Sequence, residues 1–384
     1  MRSLAMKLRH AGAMALLLGL LATAQAAPRL DSVHGPLVLQ EVAGGLEHPW
    51  ALAFLPQGQG LLVSERAGRL RRVLDDGRVL APLRGVPAVF ARGQGGLLDI
   101  ALSPRFPTDR LLYLAYAEQG ADGLAGTVVG RGRLSADLTA LEAFQVIFRQ
   151  QPRLSNGIHF GARLAFDPAG DLFVALGENN QRATAQDLDK LQGKVVRLRA
   201  DGGIPADNPF VGRSGARGEI WTYGHRNPQG LAFNPWSGQL WSHEHGPRGG
   251  DEINLLRAGR NYGWPRATHG INYSLLPIPE AEGRTLAGTE APLHVWAKSP
   301  AISGMAFYDG QRFPAWRHSL FIGALADRAL LRLTLEGDRV VAEERLLESL
   351  QRRIRDVRVG PDGWLYLLTD ERDGRVLRLG LAQP

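Results

Sequence analysis

The chain of 384 residues contains no cysteine. Disulfide staples, zinc–thiolate sites, iron–sulfur clusters and a cysteine nucleophile are therefore excluded. Long apolar runs are nearly as scarce. The stretch that comes nearest, residues 11–21, is too short to span a bilayer, so no stable membrane insertion is expected. Blocks of like charge are missing as well. Arginines and acids are interspersed, and no basic stripe of the kind that nucleic-acid binding needs is present. With 44% hydrophobic, 22% charged and 7% aromatic residues, the composition is that of a folded globular protein, not a disordered or fibrous one.

What is abundant is turn chemistry: 47 glycines and 23 prolines suit an all-β chain better than a helical bundle. The N-terminus stands apart. Arg2, Lys7 and Arg9 form a basic start, residues 11–21 an apolar middle, and Ala24-Gln25-Ala26 a small-residue cleavage signal. This pattern predicts a secretory signal peptide over residues 1–26 and export to the periplasm, leaving residues 27–384 as a single domain. Removing those three cations lowers the net charge from +7 to +4.

Six segments then repeat one theme, an apolar strand, a polar turn and a second apolar strand. Their turns centre on Pro56, Pro104, Pro168, Pro235, Asp309 and Pro361, spaced by 48, 64, 67, 74 and 52 residues. Such apolar runs bounded by Pro, Gly, Asp and Asn are strand–turn–strand signals. A unit of this size cannot bury both faces alone. Stacking the units and closing the ring removes the exposed ends, which predicts a six-bladed β-propeller, with residues 36–42 completing the last blade. An open solenoid or a pair of sandwiches is the competing arrangement. The long insertions, residues 178–220 and 242–300, are where function is expected, since long connections in compact folds tend to carry it.

Four places carry residues suited to chemistry. Arg226, Asn227 and Gln229, just before a predicted strand, offer a guanidinium fork and two amides for an oxygen-rich ligand, or caps for a turn. The Gly/Pro-rich loop running from Glu244 to Asn254 offers acids and carbonyl oxygens for a hard cation, or is a solvated acidic loop. His159 precedes the third repeat's first strand and Glu178 follows its second, so the two can meet at one end as a base and its carboxylate. Arg353 and Arg355, two residues apart on an entering strand, can share a face and clamp an anion, or form a basic surface.

Taken in order, Gly93-Gln-Gly-Gly-Leu-Leu98, His159-Phe-Gly-Ala-Arg163, Leu191-Gln-Gly-Lys-Val-Val-Arg-Leu198, Gly224-His-Arg-Asn-Pro-Gln-Gly230, Glu244-His-Gly-Pro247, Asp251-Glu-Ile-Asn254, Asn261-Tyr-Gly-Trp-Pro265 and Arg353-Ile-Arg-Asp356 resemble the soluble quinoprotein sugar dehydrogenases, over nearly the whole chain beyond residue 26. The resemblance implies a propeller that holds pyrroloquinoline quinone (PQQ) and Ca²⁺ at the channel mouth and oxidises an aldose at C1 to the lactone, with hydride passing to PQQ C5. His159 matches the general base, and Glu178 the carboxylate that orients it. Gln94, Arg226 and Asn227 match residues that contact the quinone, Arg226 standing beside the reacting centre. Arg353 and Arg355 match the pair facing the PQQ carboxylates. The carbonyls of Gly246 and Pro247 match the ligands of the catalytic calcium, and Glu252 and Tyr262 a second, structural calcium site. The electron acceptor, a quinone or a cytochrome, has no signature in the chain.

Three positions depart from the pattern. Ala326 stands where a lysine is common, with Arg328 nearby as a substitute cation. Ile158 replaces the aspartate of glucose-specific members, and Ala162 replaces a common glycine. Two other readings of the same ring are a calcium-dependent lactonase and a non-catalytic propeller that binds sugar or quinone.

Overall fold

The computed structural model describes residues 30–382. The expected signal peptide lies outside them. Among the described residues no helix is long and apolar enough to cross a membrane.

Six antiparallel sheets stand around one axis, a six-bladed β-propeller with almost no helix. Blade one holds Pro49–Phe54, Leu61–Glu65 and Arg69–Val73, and blade two begins with Leu97–Leu102. Blades three to six begin with Gly161–Phe166, Pro228–Phe233, Ile302–Tyr308 and Ile354–Val359. Each innermost strand packs against the next, and the sixth returns to the first. The predicted turn residues follow these innermost strands at every repeat. The second strands of blades one, three and five (Leu61–Glu65, Leu172–Leu176 and Ser319–Ala324) are buried throughout, because neighbouring blades cover both faces. They therefore read as continuous apolar runs, not as alternating ones.

The ring closes through Gly35–Leu46, which pairs antiparallel with Gly374–Leu381 in the sheet of Ile354–Val359. This strand is longer than the expected residues 36–42. Closure joins the two ends of the described chain in one sheet and leaves no stack face open to solvent. Blade one has only three strands. Leu80 N–H and Leu83 N–H reach back to Arg72 and Leu70, but Pro82 between them lacks a donor, so no fourth ladder forms.

Every innermost strand carries a register shift within its first few pairings to the second strand. Such a bulge places extra residues opposite the partner strand and re-aims their side chains. Repeated six times around one axis, it turns side chains from all blades inward at the same end.

Beneath that end the channel is plugged by charge. Arg163 Nη1 lies 3.1 Å from Asp99 and 3.1 Å from Asp356. Arg358 reaches the same two carboxylates at 3.1 and 3.0 Å. Leu164 N–H donates to the remaining oxygen of Asp99, and Leu52 N–H shares Asp356 Oδ2 with Arg358. Two cations meet two anions, drawn from blades two, three and six.

Candidate active site

Above the plug lies a cavity of about 260 Å³. Twelve of its fourteen lining residues follow from the bulge and its neighbours. Trp50, Leu98, Gln229 and Arg355 each stand one place after the first paired residue of an innermost strand. Phe160, Asn227, Ala301 and Arg353 each stand one place before it. Arg66, His245, Leu325 and Asp370 each follow the second-strand residue paired with it. Gln94 and Gly161 complete the wall. A larger cavity of about 800 Å³ sits at the opposite rim among the turns at Pro56 and Pro361, away from the residues suited to chemistry.

Of the residues expected from sequence, Gln94, Asn227, Arg353 and Arg355 line the cavity. His159 borders it, its N–H donating to Gln94 Oε1 at 2.8 Å. Glu178 Oε1 lies 3.1 Å from His159 Nδ1. That bond leaves His159 Nε2 with no hydrogen bond to any described residue. The imidazole is buried, and burial is the main cause that holds its pKa below the usual value, with Glu178 opposing and Arg226 reinforcing. The neutral form, with Nδ1–H turned to Glu178, therefore prevails near pH 7. The backbone at His159 is left-handed, φ 53°. Such a conformation costs a non-glycine residue about 1–3 kcal/mol. Asn179 Nδ2, donating to His159 O at 2.8 Å, helps to impose it. Gly177 permits the approach, since a Cβ there would stand 2.0 Å from His159 O.

Arg226 is buried behind Asn227, with its guanidinium 5.4 Å from the centre of the Trp264 ring. Its Nη1 donates to Gly246 O at 2.8 Å and to His245 O at 3.2 Å. Gly246 N–H donates to Asp251 Oδ1 at 3.0 Å, and Asp251 Oδ2 accepts from Ala301 N–H at 2.9 Å, so the Gly246–Pro247 turn is fixed to the blade. Arg355 Nη2 donates to Asp370 Oδ2 at 2.7 Å and Arg353 Nη2 at 3.4 Å. The expected pair does converge, although the bulge at Arg355 does the aiming and simple alternation does not.

Glu178, Arg226, Gly246 and Pro247 stand behind the cavity wall, and Glu252 and Tyr262 lie further away. Glu252 lies a strand further out beside Glu244, with its carboxylate accepting from Asn254 Nδ2 at 2.9 Å. Burial, then Glu244, pushes its pKa up to about 8. Tyr262 stacks on His225, ring centres 4.8 Å apart, and its hydroxyl is engaged by Leu255 O and Arg257 N–H. Arg328 is exposed and absent from the cavity wall, so it does not replace the missing lysine.

Sequence reasoning missed Arg66, Asp370 and Trp50. Their signal is positional: each occupies a repeat position whose equivalents in other blades line the cavity. Burial lowers the pKa of Arg66, with Asp370 opposing and Arg355 and Arg353 reinforcing. The cavity thus gathers Arg66, Arg353 and Arg355 around one carboxylate, Asp370. The Nε atoms of Arg66, Arg226 and Arg355 are buried without a partner. Buried donors are nearly always paired, so this excess of cation calls for an anionic, oxygen-rich ligand.

A family model described as Glucose / Sorbosone dehydrogenase matches residues 46–378. The aldose sugar dehydrogenase YliI of Escherichia coli (strain K12) is 59% identical over 334 residues, 87% of this chain and 90% of that protein. The crystal structure of the soluble aldose sugar dehydrogenase from Escherichia coli in the apo-form is 57% identical and superposes with a TM-score of 0.89, covering 90% of this chain and 100% of that one. The PQQ-bound form of aldose sugar dehydrogenase from Streptomyces coelicolor is 31% identical with a TM-score of 0.74, covering 90% of this chain and 98% of that one.

Proposed function

The chain belongs to the Glucose / Sorbosone dehydrogenase family, and from that premise we propose that it oxidises aldose sugars at C1 to the lactone, with PQQ and Ca²⁺ as its cofactors. The observation that carries this reading is the arginine-lined cavity in which the Nε–H groups of Arg66 and Arg355 have no partner, bordered by a neutral His159 held by Glu178.

The donor set fits a flat tricarboxylate. Arg66, Arg353 and Arg355 would hold its carboxylates, while Gln94 and Asn227 would meet its carbonyl oxygens. The Nε–H groups of Arg66 and Arg355, left without partners, are the donors such an anion would use. Calcium fits as a shared ion. The Gly246 and Pro247 carbonyls would supply two hard oxygens of the roughly six to eight that Ca²⁺ takes, Gly246 O exchanging its present donor, Arg226 Nη1, for the ion, and the rest would come from the cofactor and water. The second ion would sit at Glu252, where it would offset the burial and the Glu244 charge that raise this carboxyl's pKa, beside the unpartnered Asn254 Oδ1. Tyr262 can offer only its main-chain oxygen there, because its hydroxyl is already engaged.

Bound PQQ supplies the electrophilic carbon that accepts hydride, polarised by the calcium ion. His159 Nε2 takes the proton of the anomeric hydroxyl as the C1–H leaves as hydride. Glu178 stabilises the imidazolium so formed and keeps the ring in place. Arg226 lies close enough to disfavour a charged His159 before the substrate arrives, which keeps the base ready. The N-terminal pattern supports export to the periplasm.

Purified protein loaded with PQQ and Ca²⁺ should reduce an artificial dye when given an aldose. His159→Gln should lower kcat at least roughly 10²-fold, as for loss of a general base, while the PQQ titration keeps its end point. Unchanged turnover would remove His159 from the chemistry. Bound PQQ with no activity across a broad sugar panel would leave a binding propeller.

A further inference from the structure

We propose that Lys194 is a positioning residue for the His159–Glu178 pair, tying together the two loops on which the site stands. The inference rests on the dehydrogenase reading above.

Lys194 opens the third strand of blade three, Lys194–Leu198. Its partners in the sheet are Leu176 on one side and Tyr223 on the other. Leu176 leads in two residues to Glu178, and Tyr223 leads directly to the Gly224–Asn227 segment. The side chain is fully buried. It has no salt-bridge carboxylate among the described residues. Instead Nζ donates to three main-chain oxygens: Thr184 O at 2.9 Å, Ala185 O at 3.0 Å and Gln192 O at 2.6 Å. All three protons of the ammonium are used, as in a caged cation. Burial draws its pKa down to about 7. The three carbonyls work in the other direction, because a neutral amine would turn its lone pair onto one of them.

The knot reaches the site by two short routes. Ala185 O also accepts Gly224 N–H at 2.9 Å, so both loops end on one oxygen. Gln181 N–H, at the start of the knotted loop, donates to Glu178 O at 2.9 Å and to Glu178 Oε2 at 3.1 Å. Glu178 N–H in turn donates to Arg226 O at 2.9 Å. Gly193 beside the lysine has φ 65°, and a Cβ there would stand 2.3 Å from His225 O and 2.8 Å from Ala185 Cβ. Backbone and ammonium thus fasten the same two loops. Without the ammonium, Gln192 O loses its donor, Ala185 O keeps only Gly224 N–H and Thr184 O only Asp187 N–H, water enters, and the carboxylate behind His159 is no longer fixed.

The test uses full-length protein loaded with PQQ and Ca²⁺. Lys194→Met should lower kcat at least about tenfold, the scale of a small misplacement at a reacting centre, with KM for the sugar within about twofold. The acid limb of kcat should move upward toward about 6.5, as water relieves the burial of His159. Lys194→Cys creates the only thiol in the chain. Aminoethylation of that thiol in denaturant, followed by refolding, rebuilds an ammonium of lysine length and should restore both kcat and the limb. Wild-type activity and an unmoved limb in Lys194→Met overturn the proposal. So does failure of the aminoethylated protein to recover while wild type carried through the same cycle does. Should Lys194→Met not fold, the thiol before and after aminoethylation decides alone. Should wild type itself oxidise no aldose, the dehydrogenase reading fails instead. Lys194 is then judged by NMR titration of His159, which its replacement should shift toward about 6.5 and otherwise leave unchanged.

Discussion

The plug and the cavity above it are built from the same material and behave in opposite ways. In the plug, Arg163 and Arg358 share Asp99 and Asp356, and a main-chain N–H group donates to each carboxylate as well. Burial works against the charge of Arg358, yet Asp356 and Asp99 raise its pKa above the ordinary value. In the cavity, Arg353 and Arg355 share Asp370 with His48, and Arg66 stands nearby without an ion pair to it. There Arg66 has a lowered pKa, and although each region leaves guanidinium N–H groups without a partner (Arg163 Nη2 in the plug, Arg66 and Arg355 Nε in the cavity), only the cavity has more arginines than carboxylates. Trp50 divides the two regions, with the Arg163 guanidinium 4.3 Å and the Arg355 guanidinium 5.9 Å from its ring centre. Counting arginines does not separate a structural region from a binding one. The balance of charge does, because a buried cation without an anion is stable only when a ligand completes it.

Breaking the balanced region should have the largest effect. Asp356→Asn leaves Arg163 and Arg358 short of an anion at the channel centre, and should cost about 3–5 kcal/mol in denaturant unfolding. A loss below about 1 kcal/mol would mean that the tetrad is solvated and the comparison false.

The unbalanced region should respond in the ligand instead. Arg355→Ala should weaken PQQ binding about 10-fold to 100-fold, the range for a charged hydrogen bond removed from a binding site. Protein without cofactor should lose less stability than Asp356→Asn does. Equal loss of stability in the two variants would erase the distinction. The smallest expected effect is in the pH profile. His159 has a folded pKa below about 6.5, and with the proposed role of neutral base kcat should rise with pH through a midpoint under that value and stay flat above it. The shift also means that His159 opposes folding in acid: its contribution is present above about 6.5 and is lost as pH falls through the lowered pKa. A midpoint above about 6.5 would show that Glu178 outweighs burial at this ring.

Much of this was legible in the chain. The ring of six followed from a repeat that cannot cover its own faces, and the turn residues marked the end of each innermost strand. His159 and Glu178 could be paired because they flank one strand pair of blade three. Other features needed the fold. Arg66 and Asp370 look like ordinary surface charges, each placed after a strand rich in Leu. Only the bulge at every innermost strand makes those places point inward. Glu252 shows the converse, since the acidic loop held several carboxylates and only packing decided that this one is half-buried next to Glu244 and away from the cavity. Arg328, a reasonable substitute by proximity in sequence, ended exposed because its turn faces outward.

By itself the sequence determined the local geometry: which stretches are strands, where they turn, and that the units must close on one another. Those are consequences of apolar patterning and of backbone preferences at Pro and Gly, which act over a few residues. Which charges share the axis was decided only by the tertiary structure. Arg163, Asp99 and Asp356 lie far apart in the chain, and closing the ring is what removes water from between them and gives their pairing its strength.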